Sequence, residues 1–172
     1  MKRVSAALVL AVVANTALAD TSPIVRLDNP AAVAVALRQE GFRSQLTKDD
    51  RNRPVIETGI GGIYFSVKFY GCSDGRDCFG LLLSAWFDVE NGVALDVLNR
   101  WNSDAYIGRA YSNAQCDPVI DHYIFLDRKR EVSHFIEEIE FWGEALADFR
   151  DTVFEADETP NRVATCGGND VL

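Results

Sequence analysis

The sequence is short of basic residues and of long apolar runs. Its 172 residues hold 17 lysines and arginines against 26 aspartates and glutamates, which gives a formal net charge of -9. Nucleic-acid binding needs a concentrated patch of lysine and arginine, and the only dense basic run here is Arg128-Lys129-Arg130. We therefore expect no nucleic-acid partner, and the acidity also disfavours attraction to anionic lipid headgroups.

Other absences narrow the class of protein further. The chain lacks repeats, low-complexity tracts and linkers rich in Pro, Gly or Ser, so one folded domain is expected. No apolar run reaches the ~20 residues that cross a bilayer, which argues against membrane insertion. With 48% hydrophobic and 25% charged residues, the composition is that of a chain that buries a core.

The first 19 residues have the pattern of a secretory signal peptide. Two basic residues precede an apolar run, Ala6 to Ala14, and the small-residue site Ala17-Leu18-Ala19 follows. Cleavage there would leave residues 20–172 as a single domain. The next residue is Asp20 and not the cysteine of a lipid anchor. We therefore predict export, with a periplasmic or secreted location.

Cys72, Cys78, Cys116 and Cys166 form an even set in an exported chain, which predicts disulfides, and three pairings are possible. The segment between Cys72 and Cys78 is rich in Gly and Asp and joins two strand-like runs. It has the character of a hairpin loop whose ends can bridge. We predict Cys72–Cys78 and, by elimination, Cys116–Cys166, which would tie the tail to the body. The spacing is not that of a zinc site, so no metal is expected.

Apolar periodicity predicts an α+β domain in which an antiparallel sheet rests one face on helices. Strict alternation from Ile63 to Tyr70 indicates a half-buried strand. Asn29 is a good N-cap for the first helix, and Ser133 is the expected N-cap of the last. The predicted helices are Ala31 to Glu40, Gly92 to Asn102 and Ser133 to Glu155. The other predicted strands are Phe42 to Thr47, Pro54 to Thr58, Phe79 to Asp88, Tyr106 to Ser112 and Val119 to Leu126.

Four short motifs together resemble the YbjN-domain family, a group described as bacterial sensory-transduction regulators. They are the Cys72 to Cys78 hairpin, Trp101-Asn102, Arg109-Ala110-Tyr111 and the closing aromatic helix. The resemblance covers residues 28 to 155, nearly the whole mature chain. It implies a fold similar to that of type III secretion chaperones, a function that is largely uncharacterised and no assigned catalytic residues.

The residue types in these motifs suit structural roles. Trp101 closes an apolar helix stripe, and Asn102 can satisfy carbonyls at the helix end or in the following turn. Alternation places Arg109 and Tyr111 on one strand face, where Arg109 can pair with a carboxylate. We expect these residues to hold the fold together and not to bind a ligand.

An enzymatic interpretation has little support in the sequence. His122 lies on the strand face of Ile120 and Ile124, where a core histidine is expected, and His134 is expected to face water. The motifs of serine hydrolases and of helical zinc proteases are absent. We predict a protein that is not an enzyme and needs no cofactor. The alternative is a small periplasmic hydrolase with a site near His122.

The second face of the sheet supplies the main functional hypothesis. If Ile63 and every second residue after it in the strand face the helices, the opposite surface holds a set of large side chains, namely Tyr64, Tyr70, Leu82, Trp86 and Tyr123. They either form a binding surface or lie under the first helix or the Cys166 tail. The leading hypothesis is a non-catalytic, chaperone-like or regulatory module. Its partner would be an exported protein or peptide, or a second copy of the chain.

Overall fold

The computed structural model describes residues 23–90, 92–126 and 130–157, and these residues contain three helices and eight strands. The helices are α1 (Pro30–Gln39), α2 (Leu95–Asp104) and α3 (Val132–Asp157). The strands are β1 (Ile24–Val25), β2 (Gln45–Lys48), β3 (Pro54–Ile60), β4 (Ile63–Tyr70), β5 (Gly80–Trp86), β6 (Arg109–Ser112), β7 (Pro118–Phe125) and β8 (Arg130–Glu131). The predicted α+β class is confirmed.

Within these residues, six strands form one antiparallel sheet in the order β2-β3-β4-β5-β7-β6. The first four are joined by successive hairpins, and α2 then carries the chain to β6, which lies at the sheet edge beyond β7. The turn between β3 and β4 needs Gly61 and Gly62, whose φ angles are 57° and 82°. Positive φ at both central residues of a hairpin turn is the conformation that glycine adopts without strain.

The core lies between the sheet and the helices. Trp142 of α3 meets Phe65 of β4 edge-on at a ring-centroid distance of 6.1 Å, and Trp101 of α2 meets Phe149 at 5.1 Å. The predicted stripe of α3 is confirmed, because a residue at every third or fourth position is fully buried: Phe135, Ile139, Trp142, Leu146, Phe149 and Val153. Helix α1 contributes Val33 and Leu37 to the same buried cluster.

Several predicted boundaries are wrong. Helix α3 begins at Val132, so Ser133 is not its N-cap, and the Val132 amide donates to the carbonyl of Pro23 at 2.9 Å. This bond continues the short β1–β8 pair directly into the helix. Helix α2 begins at Leu95 and not at Gly92, whose φ of 64° is left-handed. In the described part of the chain, no helix is long and apolar enough to cross a membrane.

The bridge between Cys72 and Cys78 is confirmed in the loop that joins β4 to β5. Cys166 lies outside the described residues, as does the predicted signal peptide. The Cys116–Cys166 bridge and the cleavage site therefore stay predictions.

Candidate functional site

Strand registers show which residues share the sheet surface that faces away from the helices. Lys68 lies opposite Leu82, Leu82 lies opposite Tyr123, and Tyr70 lies opposite Gly80. We call this surface the open face, and the side chains on it include Tyr64, Ser66, Lys68, Tyr70, Leu82, Ser84, Trp86, Arg109, Tyr111, Asp121, Tyr123 and Phe125. The five aromatic and leucine side chains that the sequence assigned to one surface are therefore brought together on it.

The open face exposes its largest side chains to solvent. Tyr64 is 81% exposed, Trp86 is 63% exposed and Phe125 is 77% exposed, whereas antiparallel sheets usually turn polar residues to water. Helix α1 does not cover them, because its apolar residues belong to the core on the opposite side of the sheet. The Cys166 tail, the other proposed cover, lies outside the described residues.

Aromatic residues gather at both ends of the open face. At one end, Tyr64 and Trp86 line a shallow cavity of about 460 Å³. At the other end, the rings of Tyr70 and Tyr123 are 6.4 Å apart, and Tyr123 meets Phe125 edge-on at 5.0 Å. Sequence reasoning omitted Phe125, although it lies two positions after Tyr123 and therefore on the same strand face.

Gly80 allows the second aromatic group to form. A Cβ atom at Gly80 would lie 1.7 Å from the hydroxyl oxygen of Tyr123, so the Tyr123 ring crosses the strand where a side chain is missing. Arg53 lies over the Tyr70 ring at 5.0 Å and completes the border of this group. Ring contacts and the Arg53 guanidinium therefore stabilise the group, and Gly80 leaves the space that the Tyr123 ring occupies.

A polar row separates the two aromatic ends. The Asp121 side chain is only 7% exposed, and its Oδ2 atom accepts a hydrogen bond of 2.9 Å from Nη2 of Arg109. Ser84 lies opposite Asp121 on the next strand, and its Oγ atom accepts a hydrogen bond of 3.3 Å from Nζ of Lys68. A buried carboxylate needs such a partner, because an unpaired charge away from water is costly. The prediction that Arg109 pairs with a carboxylate is confirmed.

Burial and neighbouring charges in this row raise the pKa values of Arg109 and Tyr111. The hydrogen bond to Asp121 raises the pKa of Arg109 above its ordinary value. Burial, and then the charge of Asp121, raise the pKa of Tyr111, while the Arg109 guanidinium opposes that change. The Arg109 guanidinium lies 5.3 Å from the centre of the Tyr111 ring.

The motif residues Trp101 and Asn102 have structural roles, although not the one predicted for Asn102. Its side-chain amide donates to the carbonyl of Ala110 at 3.0 Å and accepts from the Ala110 amide at 2.7 Å. Asn102 thereby provides hydrogen-bond partners for backbone groups on the outer edge of β6 and connects α2 to the sheet. Trp101 donates from Nε1 to Oδ2 of Asp148 at 2.7 Å, which links α2 to α3.

His122 lies on the inner face of the sheet, partly buried, with its ring stacked on Trp142 at 6.4 Å. His134 is exposed, as predicted. In the ranges that the structure describes, no group of three or more His, Cys, Asp or Glu side chains is arranged to hold a metal ion. The sheet surface that is accessible to a partner is therefore the open face, and His122 is not part of it.

Comparison with known proteins gives one family. The model of the YbjN family, described as “Putative bacterial sensory transduction regulator”, matches residues 29–155. No curated protein and no solved structure matches the sequence. The matched range contains α1, the whole six-stranded sheet, α2 and most of α3. Because the match covers well over half of the sequence, the chain belongs to the YbjN family.

Proposed function

We propose that the chain is an exported, non-catalytic regulatory module that binds a protein partner through the open face of its sheet. The observation that carries this proposal is the exposure of Tyr64 and Trp86 on a surface that the helices leave uncovered. Membership of a family of regulators supports a role that depends on partners and not on chemistry.

The composition of the open face is that of a protein interface. Interface cores are enriched in Tyr, Trp, Phe and Arg, and the two aromatic groups with Arg109 between them have this composition. The Asp121 carboxylate is already paired, so covering it with a partner adds little desolvation cost. A partner can therefore cover the Asp121 carboxylate without leaving that charge unsatisfied.

The partner contacts side chains on the open face and does not extend the sheet at β6. The outward amide and carbonyl of Ala110 are both occupied by Asn102, which blocks a new strand from pairing there. The expected partner is an exported protein or peptide, or a second copy of the chain.

Export rests on the sequence and on the cysteine chemistry. The basic start, the apolar run and Ala17-Leu18-Ala19 have the pattern of a cleaved signal, and the Cys72–Cys78 disulfide is typical of an oxidising compartment such as the periplasm. We expect the mature chain to act in the periplasm or outside the cell.

The alternative function, a small hydrolase with a site near His122, has weaker support. A catalytic histidine must reach a substrate, and His122 lies on the helix side of the sheet with its ring against Trp142. The open face, which a partner can reach, has no histidine among the side chains that the structure describes there.

Site-specific photocrosslinking tests the proposal. A benzophenone amino acid replaces Tyr64 on the open face or, as a control, Leu95, which is exposed at the start of α2. We expect a discrete crosslinked species at position 64 and none at position 95, and its mass distinguishes a partner from a second copy. Equal crosslinking at both positions, or none at position 64, would contradict the proposal.

A further inference from the structure

A second surface lies on the helix side of the molecule, between α2, the loop that follows it and the middle of α3. It encloses a cavity of about 690 Å³, which we call the α2–α3 groove. The groove has an apolar floor and an acidic border, and its lining residues are Trp101, Asp104, Ala105, Tyr106, Ile107, Phe141, Glu144, Ala145 and Asp148.

Two aromatic side chains of the groove lie outside the buried core. Tyr106 is fully exposed and Phe141 is 64% exposed. Phe141 lies beside the buried stripe of α3, next to Trp142, so the core does not explain its presence. Neighbouring exposed aromatics in one groove indicate a surface that a ligand covers.

The loop after α2 forms one wall of the groove and is held by contacts within the fold. The loop after α2 is held by the Ala105 amide, which donates to the Trp101 carbonyl at 2.9 Å. Gly108 has a φ of 86°, and a Cβ atom there would lie 3.3 Å from Trp101 and from Ile120. Because these contacts fix the loop that carries Tyr106, binding would require little rearrangement.

The charge of the groove has one sign. Asp104, Glu144 and Asp148 border the apolar floor, and among the described residues that line it there is no lysine or arginine. Trp101 holds the Asp148 carboxylate in place at 2.7 Å. A partner that fits both features carries positive charges beside apolar side chains.

We propose that the α2–α3 groove binds a basic, apolar segment of a partner protein, in which Lys or Arg flanks Leu, Ile or Phe. The apolar side chains contact Ile107, Ala145 and Phe141, and the cations lie near Asp104 and Glu144. This inference does not rest on the open face, which lies on the other side of the sheet.

A synthetic peptide of alternating lysine and leucine tests the groove, with alternating glutamate and leucine as the control peptide. Binding to the disulfide-intact mature protein is followed by fluorescence anisotropy. We expect only the lysine peptide to bind, and Glu144→Lys and Phe141→Ser each to weaken binding about tenfold, which corresponds to ~1.4 kcal/mol. Both positions are exposed, so circular dichroism should show that the variants stay folded.

Glu140→Lys is the matched control, because it makes the same charge change on the same exposed side of α3 outside the groove lining. We expect it to weaken binding by less than about threefold. Equal losses from Glu140→Lys and Glu144→Lys would show general charge attraction and overturn the proposal. Loss of peptide binding in Trp86→Ser, or no binding of the lysine peptide up to about 1 mM, would also overturn it.

Discussion

Asp121 and Arg109 show how a charged residue is held in the middle of an otherwise aromatic surface. The carboxylate is buried while the guanidinium is 70% exposed, so the arginine connects a buried group to solvent. Removing the arginine leaves the carboxylate without its charged partner, and removing both relieves that cost. The pair therefore maintains the surface between the two aromatic ends.

A double-mutant cycle tests this account. We expect Arg109→Gln to lower the free energy of unfolding by about 1 to 2 kcal/mol, a value reduced by the exposure of the arginine. The double variant Arg109→Gln/Asp121→Asn should lose less unfolding free energy than the sum of the losses in the two single variants. Urea unfolding of the four proteins measures the coupling, and additive losses would contradict the role of the pair.

The raised pKa of Tyr111 predicts that the free energy of unfolding falls at high pH. Burial and the charge of Asp121 raise its pKa in the folded state, so the folded protein binds this proton more tightly than the unfolded chain, whose tyrosines titrate near 10. The stabilisation is complete below about pH 10 and is lost as the pH rises through the higher, folded pKa.

We therefore expect the stability of the parent to fall as the pH rises above about 10, and to fall less steeply in Tyr111→Phe. Urea unfolding between pH 8 and 11 measures both slopes. Identical slopes in the two proteins would show that Tyr111 does not contribute to the loss.

Helix α2 and strand β6 form a unit that Asn102 holds together. Asn102 uses both ends of its amide on the backbone of Ala110, although their elements are separated by a loop. Because the amide replaces the backbone partners that an edge strand lacks, it positions the strand that carries Arg109 and Tyr111.

Replacing Asn102 by Ala removes both hydrogen bonds. We expect a loss of about 1 to 2 kcal/mol in the free energy of unfolding, because each net hydrogen bond contributes about 1 kcal/mol. Asn99→Ala, an exposed change on the same helix, should cost less than about 0.5 kcal/mol. Equal effects of the two changes in urea unfolding would contradict the role of Asn102.

The elements that sequence reasoning placed best are those with long, regular patterns. The bounds of β4 were predicted without error, and the stripe of α3 was predicted in full, because each pattern repeats several times. The β1–β8 pair was missed, since strands of two residues have no alternation to detect. The start of α3 was also missed, because the β1–β8 pair and not a side-chain cap leads into it.

The candidate sites were predictable to different degrees. Alternation alone placed Tyr64, Tyr70, Trp86 and Tyr123 on one face, since side-chain direction in a strand follows from sequence spacing. The Asn102 contact with Ala110 and the α2–α3 groove depend on how a helix packs against distant residues. No local pattern specifies that packing, so neither could be predicted.

The whole molecule divides into two sides with different chemistry. One side of the sheet carries the core and the helices, with the acidic α2–α3 groove on their surface, and the other is the open face. If both proposed surfaces bind partners, one small domain could hold two partners at once, as we propose for a regulatory module.

Mass spectrometry tests the mature form of the molecule. We expect the exported chain to begin at Asp20, and non-reducing peptide mapping to find Cys72–Cys78 and Cys116–Cys166. The first bridge closes the β4–β5 loop, and the second would close a long loop and stabilise the fold by about 4 kcal/mol on the chain-entropy estimate. A full-length chain confined to the cytoplasm would contradict the export prediction, and crossed bridges or free thiols would contradict the pairing.

The most direct test of the open face is the affinity of Trp86→Ser for the molecule crosslinked at position 64, or its own dimerisation if that molecule is a second copy. Trp and Tyr are the residue types most often worth 2 kcal/mol or more at an interface, so we expect at least about tenfold weaker association. Circular dichroism and melting should match the parent, because Trp86 is 63% exposed. Leu95→Ser should associate as the parent does. Unchanged association of a folded Trp86→Ser protein would contradict the account, and unfolding of the variant would show that Trp86 belongs to the core.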